Sequence, residues 1–166
     1  MSHVEVPNSL WWELERRLVL VYLGHAHASS EVHGHVIERL EQPNADKSVL
    51  EPLRQAARNG KNAIYAGDFA ALGQCMIANT EAQQALHPAL VSGEARAIID
   101  LAREHGAAGW KVNGAGGEGG SLTILCGPDG VKKRSFIDAV PSLNERFQVI
   151  PTYLARAGLR RWIGTG

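Results

Sequence analysis

The sequence lacks an excess of charge of either sign and lacks any long apolar run, and both absences exclude classes of function. Lys plus Arg and Asp plus Glu each number 17, which gives a formal net charge of zero at pH 7. A balanced chain gives no support for nucleic acid or an anionic membrane surface as a partner. No apolar run approaches the roughly 20 residues that span a bilayer. We therefore predict neither a nucleic-acid partner nor a membrane partner.

Cysteine is also scarce, since only Cys75 and Cys126 occur in 166 residues, and this argues against a small disulfide-stabilised scaffold. Both cysteines lie in apolar contexts, LGQCMIA and LTILCG, so buried free thiols are favoured over a disulfide or a reactive thiol. The first residues lack the basic-then-apolar order of a signal peptide. A chain of this length usually forms one domain with its own core. We therefore expect a single cytoplasmic domain over residues 1–166.

The apolar pattern alternates between strand-like runs and helical spacing in an order that predicts a fold. After an irregular lead-in at Pro7 and Asn8, the run RRLVLVYLGH (16–25) predicts a central strand. The predicted helices begin near Ser30, Val49 (stopping at Asn59-Gly60), Asp68, Ser92 and Val131, and the later strands are Trp110–Asn113, Ser121–Cys126 and Phe147–Leu154. This order matches the split βαβ, ferredoxin-like plan. We predict an α+β fold, a four-stranded antiparallel sheet with helices on one face and a helical insertion between strands 1 and 2.

Residues 109–125, GWKVNGAGGEGGSLTIL, place a glycine-rich loop between two of these strands. The letters G-x-G-x-x-G occur from Gly114 to Gly119, but a strand follows where the dinucleotide fingerprint requires a helix. The Walker pattern is absent, so both nucleotide-loop readings are excluded. A hairpin needs only one or two glycines, and further glycines cost ordering entropy. The loop therefore favours close approach of a ligand or ligand-binding segment to bare backbone, with a plain wide turn as the alternative.

The stretch HGAAGWKVNGAGGEGGSLTIL resembles the third conserved motif of the GHMP kinases, a lysine-containing strand, then G-A-G-G-G-G, then an apolar strand. LERRLVLVYLGHAHASSEVH and LRQAARNGKNAIYAGDFAALGQCM resemble the C-terminal half of heptose-phosphate kinases, and the resemblance covers about residues 10–160. It implies a ferredoxin-like fold and an ATP-dependent sugar kinase. The main phosphate loop, P-x-x-x-G-[LI]-[GS]-S-S-[AGS], belongs to the N-terminal half of such kinases and does not occur in this sequence. The resemblance thus implies a C-terminal half that requires an N-terminal half, in the same or a separate polypeptide.

The resemblance also implies roles for the loop. Its glycines and alanine would lie against the phosphate loop of the N-terminal half and close one side of the cleft; they are Gly114, Ala115, Gly116, Gly117, Gly119 and Gly120. Glu118 interrupts this motif, and we expect it to face away from phosphates or to meet a cation. ATP and Mg²⁺ would serve the complete kinase, with neither bound tightly by this chain alone. We expect no phosphoryl transfer by the chain alone, and its catalytic residues stay unknown.

Candidate substrate contacts lie on both sides of this loop. Lys111 and Asn113 flank Val112, so they face either the cleft or plain solvent. In GHAHASSEVHGH, the histidines would form a metal site, a substrate contact or a solvated loop, and we expect no metal. The resemblance places a basic residue at His27, and we take Ser29 and Ser30 as further candidates. The substrate would be a sugar or a sugar phosphate.

Two other functional classes compete with the enzyme half. A non-catalytic module derived from a kinase would bind a sugar phosphate or a partner protein, and a structural domain would only oligomerise. Trp11, Trp12 and Trp162 fit internal packing, or they would cover the surface where the N-terminal half belongs. Without that half we expect an exposed apolar patch and self-association, with a homodimer as one outcome.

Overall fold

The computed structural model describes residues 5–25, 29–114 and 119–156, with the backbone alone described at 29–33 and 35. The helices are α1 (Asn8–Arg17), α2 (Ser29–Glu41), α3 (Glu51–Ala66), α4 (Phe69–Leu86), α5 (Gly93–Glu104) and α6 (Gly130–Leu143), and the strands are β1 (Leu18–Tyr22), β2 (Gly109–Val112), β3 (Ser121–Leu125) and β4 (Gln148–Ile150). Short 3₁₀ turns occupy Lys47–Leu50 and Pro88–Leu90.

The four strands form one sheet in the order β2-β3-β1-β4, and every neighbouring pair is antiparallel. This is the strand order of the ferredoxin-like plan, so the predicted α+β fold is confirmed. Helices α2 to α5 form the insertion between β1 and β2. The predicted central strand is also correct, because β1 pairs with β3 on one side and β4 on the other.

The main core lies between one face of the sheet and the helices α5 and α6. Alternate residues of the strands point into it, as the period of two in a strand requires. Its fully buried side chains include Val21, Ile98, Leu122, Ile124, Phe136 and Val140. Burying any one of these side chains contributes about 1.5–3 kcal/mol to the free energy of folding. A shift of the strand pairing by one residue would expose them, so their burial fixes the register of the sheet.

Helix α4 covers the outer edge of β2, and the backbones of the two elements are in direct contact. Gly73 of α4 and Gly109 of β2 face each other so closely that a Cβ on either would overlap the backbone of the other segment. Two turns further on, the Thr80 hydroxyl accepts from the Val112 N–H and donates to the Trp110 carbonyl, both at 3.3 Å. An exposed strand edge invites pairing with other chains. The helix thus satisfies backbone groups that would otherwise make β2 such an edge.

Two helical predictions need correction, and both errors have a local cause. The predicted irregular lead-in is helix α1, which extends into residues assigned to the strand. Glu13 bonds the guanidinium groups of Arg16 and Arg17 at 2.7 and 2.6 Å, the i+3 and i+4 pairs of a helix. Helix α3 continues through Asn59-Gly60 to the left-handed Gly67, at φ 66°. Gly60 packs against α4, because a Cβ on Gly60 would lie 3.7 Å from Cys75 Cβ.

The last predicted strand is shorter than expected. It ends at Ile150 because Pro151 has no N–H to donate to a strand partner. The predicted helix starts at Asp68 and Ser92 are correct, because both side chains cap their helices: Asp68 accepts from the Ala71 N–H at 2.9 Å, and Ser92 accepts from the Ala95 N–H at 3.1 Å. Among the described residues, no helix combines the length and the apolar character needed to cross a bilayer.

The two cysteines are free thiols. Cys126 is buried, and burial raises the pKa of its thiol to about 11, which makes it unreactive at neutral pH. Cys75 is only half-buried, so the prediction of buried thiols is correct for Cys126 and incomplete for Cys75.

Candidate functional site

The glycine loop leaves the sheet at Asn113 and returns at Ser121, whose carbonyl accepts from the Asn113 N–H at 2.9 Å. Three glycines of its two limbs have positive φ: 63° at Gly114, 87° at Gly119 and 79° at Gly120. Residues with a Cβ adopt positive φ only at a cost in conformational energy, so these three backbone positions favour glycine. The predicted loop residues Ala115, Gly116, Gly117 and Glu118 lie outside the described residues.

The outgoing limb is held by helix α4. The Gln83 amide donates from Nε2 to the Gly114 carbonyl at 2.9 Å, across 31 residues of sequence. Its other amide atom, Oε1, is buried and has no hydrogen-bond partner within the described part of the chain. A buried acceptor without a donor is costly. The bond to the Gly114 carbonyl nevertheless directs the Gln83 amide towards the loop.

The returning limb is held by the end of β1 and by α5. The Gly120 N–H donates to the His25 carbonyl at 3.1 Å, and the Gly120 carbonyl accepts from the Leu23 N–H at 2.9 Å. A Cβ on Gly119 would lie 2.7 Å from His25 Nδ1 and would overlap the His25 carbonyl oxygen. The His25 ring in turn bonds Glu94, in the first turn of α5, with Nε2 3.0 Å from Oε2. The outgoing limb is thus held by a helix of the insertion, and the returning limb is held by the segment after β1, whose His25 is bonded to α5.

The sheet face opposite the core carries a polar network beside the loop, which we call the polar face: Lys111, Asn113, Ser121 and Thr123. Asn113 Nδ2 donates to Ser121 Oγ and Thr123 Oγ1 donates to Asn113 Oδ1, both at 3.1 Å. Lys111 Nζ donates to the Val112 carbonyl at 2.8 Å. Burial lowers the pKa of the Lys111 ammonium below its ordinary value. The face opposite Val112 is therefore polar and half-buried rather than plainly solvated.

The structure brings some of the sequence-predicted site residues together and leaves others undescribed. Lys111, Asn113, Gly114, Gly119 and Gly120 meet at one end of the sheet. His27 lies outside the described residues. Ser29 and Ser30 are the first two residues of α2, and their side chains are not described.

Sequence reasoning missed the residues that hold the loop. Gln83 and Glu94 each lie on a predicted helix, but nothing in the local pattern distinguishes them from other surface residues. His25 was considered as one of four histidines for a metal or substrate, whereas its ring bonds Glu94. Within residues 5–25, 29–114 and 119–156, no group of three or more His, Cys, Asp or Glu side chains could hold a metal ion.

A family model described as "GHMP kinases C terminal" matches residues 61–143, half of the chain. The chain belongs to this family. The match includes α4, α5, both strands that bear the glycine loop, and α6. The four-stranded antiparallel sheet is consistent with the ferredoxin-like fold of the GHMP kinase C-terminal domain.

Solved structures of two kinases share the fold of this GHMP chain. An L. major mevalonate kinase in complex with R-mevalonate is 22% identical, with a TM-score of 0.66 over 82% of this chain and 43% of that one. A putative sugar kinase from Campylobacter jejuni is 20% identical, with a TM-score of 0.50 over 90% of this chain and 41% of that one. These likenesses show the fold alone, and the chain spans about two fifths of each kinase. Comparison with curated proteins found no match.

Proposed function

We propose that this chain is the C-terminal half of an ATP-dependent GHMP-type sugar kinase and that its glycine loop forms one wall of the substrate and nucleotide cleft. The observation that carries the proposal is the clamping of both loop limbs, by Gln83 on one side and His25 on the other. Ordering a loop with three left-handed glycines costs conformational entropy on folding. A fixed loop shape offsets this cost only where a ligand or a partner binds against the loop.

The proposed division of labour follows from the chemistry of phosphoryl transfer, which is mostly positioning and charge neutralisation. GHMP kinases in general use ATP and Mg²⁺; when bound, these supply the transferred phosphoryl group and neutralise its charge. The sequence resemblance places the magnesium ligands in the N-terminal half. This chain would contribute the loop, 114–120, and the substrate contacts Lys111, Asn113, His27, Ser29 and Ser30.

The substrate in this proposal is a sugar or sugar phosphate, and the sequence resemblance favours a heptose phosphate. The chain would work in the cytoplasm, where ATP and sugar phosphates are available. An N-terminal GHMP half, in the same or a separate polypeptide, would be its obligatory partner. Because one wall cannot align donor and acceptor, the chain alone would transfer no phosphate.

Reconstitution tests this proposal. The 166-residue chain is assayed for ATP consumption with a panel of sugars and sugar phosphates, alone and after co-expression with an N-terminal half from the same genome that carries the P-x-x-x-G-[LI]-[GS]-S-S loop. We expect activity only in the combination, and we expect Gly114→Ala to reduce it because φ at this position is 63°. ATP-dependent phosphorylation by the chain alone would refute the division of labour.

A non-catalytic module derived from a kinase is the second candidate. It would require only the clamped loop and the half-buried Lys111, and this chain contains both. Binding of a sugar phosphate by the chain, together with inactivity in every reconstituted pair, would support this candidate over the enzyme half.

A further inference from the structure

A groove opens at the end of the sheet where β4 stops short of its neighbour. Ile150, the last residue of β4, pairs with Leu20, so Leu18 and Val19 of β1 have no partner in β4. Pro151 cannot continue the strand because it has no N–H to donate. The resulting cavity of about 340 Å³ lies between α1, the end of β4 and α6, and we call it the α1 groove. Its lining includes Trp12, Leu18, Val19, Ile137, Ile150 and Tyr153.

The backbone at the floor of the α1 groove needs no further strand. The Leu18 N–H donates to the Leu14 carbonyl at the end of α1. The Leu18 carbonyl accepts from Lys133 Nζ, on α6, at 3.1 Å. Because both polar groups of this residue already have partners, an occupant of the groove would contact side chains rather than pair with the strand edge.

Two aromatic side chains beside the groove are largely exposed. Trp12 of α1 is 62% exposed and Tyr153, which follows β4, is 85% exposed. Single exposed apolar residues are common on protein surfaces. A tryptophan and a tyrosine beside one groove with an apolar floor are instead typical of the anchoring residues of protein–protein interfaces.

Both ends of the described chain lie at this surface. The segment after β4 is fastened to α1, because the Leu154 N–H donates to Glu15 Oε2 at 2.8 Å. Arg156 donates to the side-chain oxygen of Asn8, the first residue of α1, and its guanidinium lies 5.2 Å from the centroid of the Trp11 ring. The described chain therefore enters and leaves the domain side by side, next to the groove.

We infer that the α1 groove is the surface on which the N-terminal half of the kinase docks, with an apolar side chain of that half inserted beside Trp12 and Tyr153. The inference rests on the proposed function, in which an N-terminal half precedes this C-terminal half. In a single polypeptide that half would join the chain at the start of α1, next to the groove. As a separate polypeptide it would find the same exposed aromatic surface.

The groove and the glycine loop are compatible as two contacts of one partner. Ser121, at the end of the loop, pairs with Tyr22 at one end of β1, and the groove begins at Leu18 at the other end. A strand rises about 3.3 Å per residue, so these two ends are roughly 13 Å apart. A folded domain of 100 residues has a radius of gyration of about 13 Å. One N-terminal half is therefore wide enough to contact both places.

Co-purification tests this inference. A tagged N-terminal half, the one that serves in the reconstitution, is co-expressed with the parent chain, Trp12→Lys or Tyr153→Lys, and the amount of chain retained through the tag is measured. We expect the parent to be retained and each lysine variant to be retained at least about tenfold less, as the loss of an aromatic anchor predicts. Because both side chains are largely exposed in the chain alone, each variant should keep the parent's circular dichroism and Tm.

The matched control is Leu143→Lys, which places the same charge on an apolar residue that is 44% exposed. Leu143 is the last residue of α6, about 15 Å along the helix from Lys133 at the groove. This variant should be retained as the parent is. Equal retention of the parent, Trp12→Lys and Tyr153→Lys would overturn the inference. An equal loss in Leu143→Lys, or no retention of the parent, would also overturn it.

Two further outcomes separate this partner from a second copy and this inference from the proposed function. A dimer of the chain that persists in excess N-terminal half, and that Trp12→Lys dissociates in sedimentation, would assign the groove to a second copy and overturn the inference. A complex that depends on Trp12 and Tyr153 but phosphorylates no substrate would refute the proposed function alone. An active pair that tolerates both lysine substitutions would refute this inference alone.

Discussion

Substitution of Gly73 by alanine should destabilise the protein strongly, although alanine is the better helix former. Gly73 lies inside α4 and faces the backbone of Ala108 and Gly109 at the start of β2. A Cβ at this position would lie 3.0 Å from the Gly109 nitrogen and would overlap the Ala108 carbonyl oxygen by more than an ångström. Both atoms belong to the backbone, so no side-chain rotation relieves the overlap.

The magnitude follows from three opposing contributions. Overpacking costs typically 1–3 kcal/mol, with rigid backbone at the upper end. Moving α4 away from β2 also weakens the two hydrogen bonds that join the Thr80 hydroxyl to β2, at about 1 kcal/mol each. The helix propensity of alanine returns about 1 kcal/mol. The net loss is about 3 kcal/mol, which for a chain of this size lowers Tm by about 6–12 °C.

The matched control is Gly60→Ala in α3. A Cβ there would lie 3.7 Å from Cys75 Cβ and 3.9 Å from Leu72 Cδ1, which are ordinary contacts. The same change should therefore be neutral or stabilise by up to about 1 kcal/mol. Urea titration followed by circular dichroism gives both free energies of unfolding. A Gly73→Ala variant as stable as the Gly60→Ala variant would refute the close packing of α4 on β2.

Two further predictions concern charged contacts. His25→Ala should speed amide hydrogen exchange at Gly120 about 5–10-fold, because the His25 ring, bonded to Glu94, steadies the His25 carbonyl that accepts from the Gly120 N–H. In the control Glu94→Gln, which keeps a hydrogen bond to His25, the Gly120 amide should exchange more slowly than in His25→Ala. Unchanged exchange at Gly120 in His25→Ala would contradict the clamp. The hydrogen bond to Arg16 is the largest cause that lowers the pKa of Glu13 from 4.5 to about 2. This partly exposed pair contributes at most about 1 kcal/mol to the free energy of unfolding. The contribution is present above pH 4.5 and is lost as the pH falls towards 2. Glu13→Gln should therefore lower Tm at pH 7 but hardly at pH 2, and an equal loss at both pH values would exclude this linkage.

Much of the fold could be predicted because its signals are local. The caps Asp68 and Ser92 and the alternation of Trp110–Asn113 depend on neighbours within a few residues. The same locality explains the error at Gly60, where Asn-Gly has the form of a helix stop and the actual reason for glycine is a contact with α4. Helix α1 was missed because its ion pairs at Glu13 follow a proline that suggested a loop.

The polar face was partly predictable, since strand alternation placed Lys111 and Asn113 opposite Val112. The clamping residues were not, because their partners lie far away in sequence. Gln83 reaches Gly114 across 31 residues, and Glu94 reaches His25 across 69. Such contacts arise only after α4 packs on β2 and α5 packs on the core. No pattern in a single sequence records that packing.

The helical insertion between β1 and β2 therefore has a purpose that the simple split βαβ plan does not supply. Helix α4 is fixed to β2 by Gly73 and Thr80, and the same helix then extends Gln83 to the outgoing limb. Helix α5 is fixed by the core and extends Glu94 to His25 beneath the returning limb. A hairpin tip that merely reversed the chain would need neither contact. Because each limb is anchored to a rigid helix, the ordering entropy of a glycine-rich loop is lost on folding and need not be lost again when a partner or a phosphate binds.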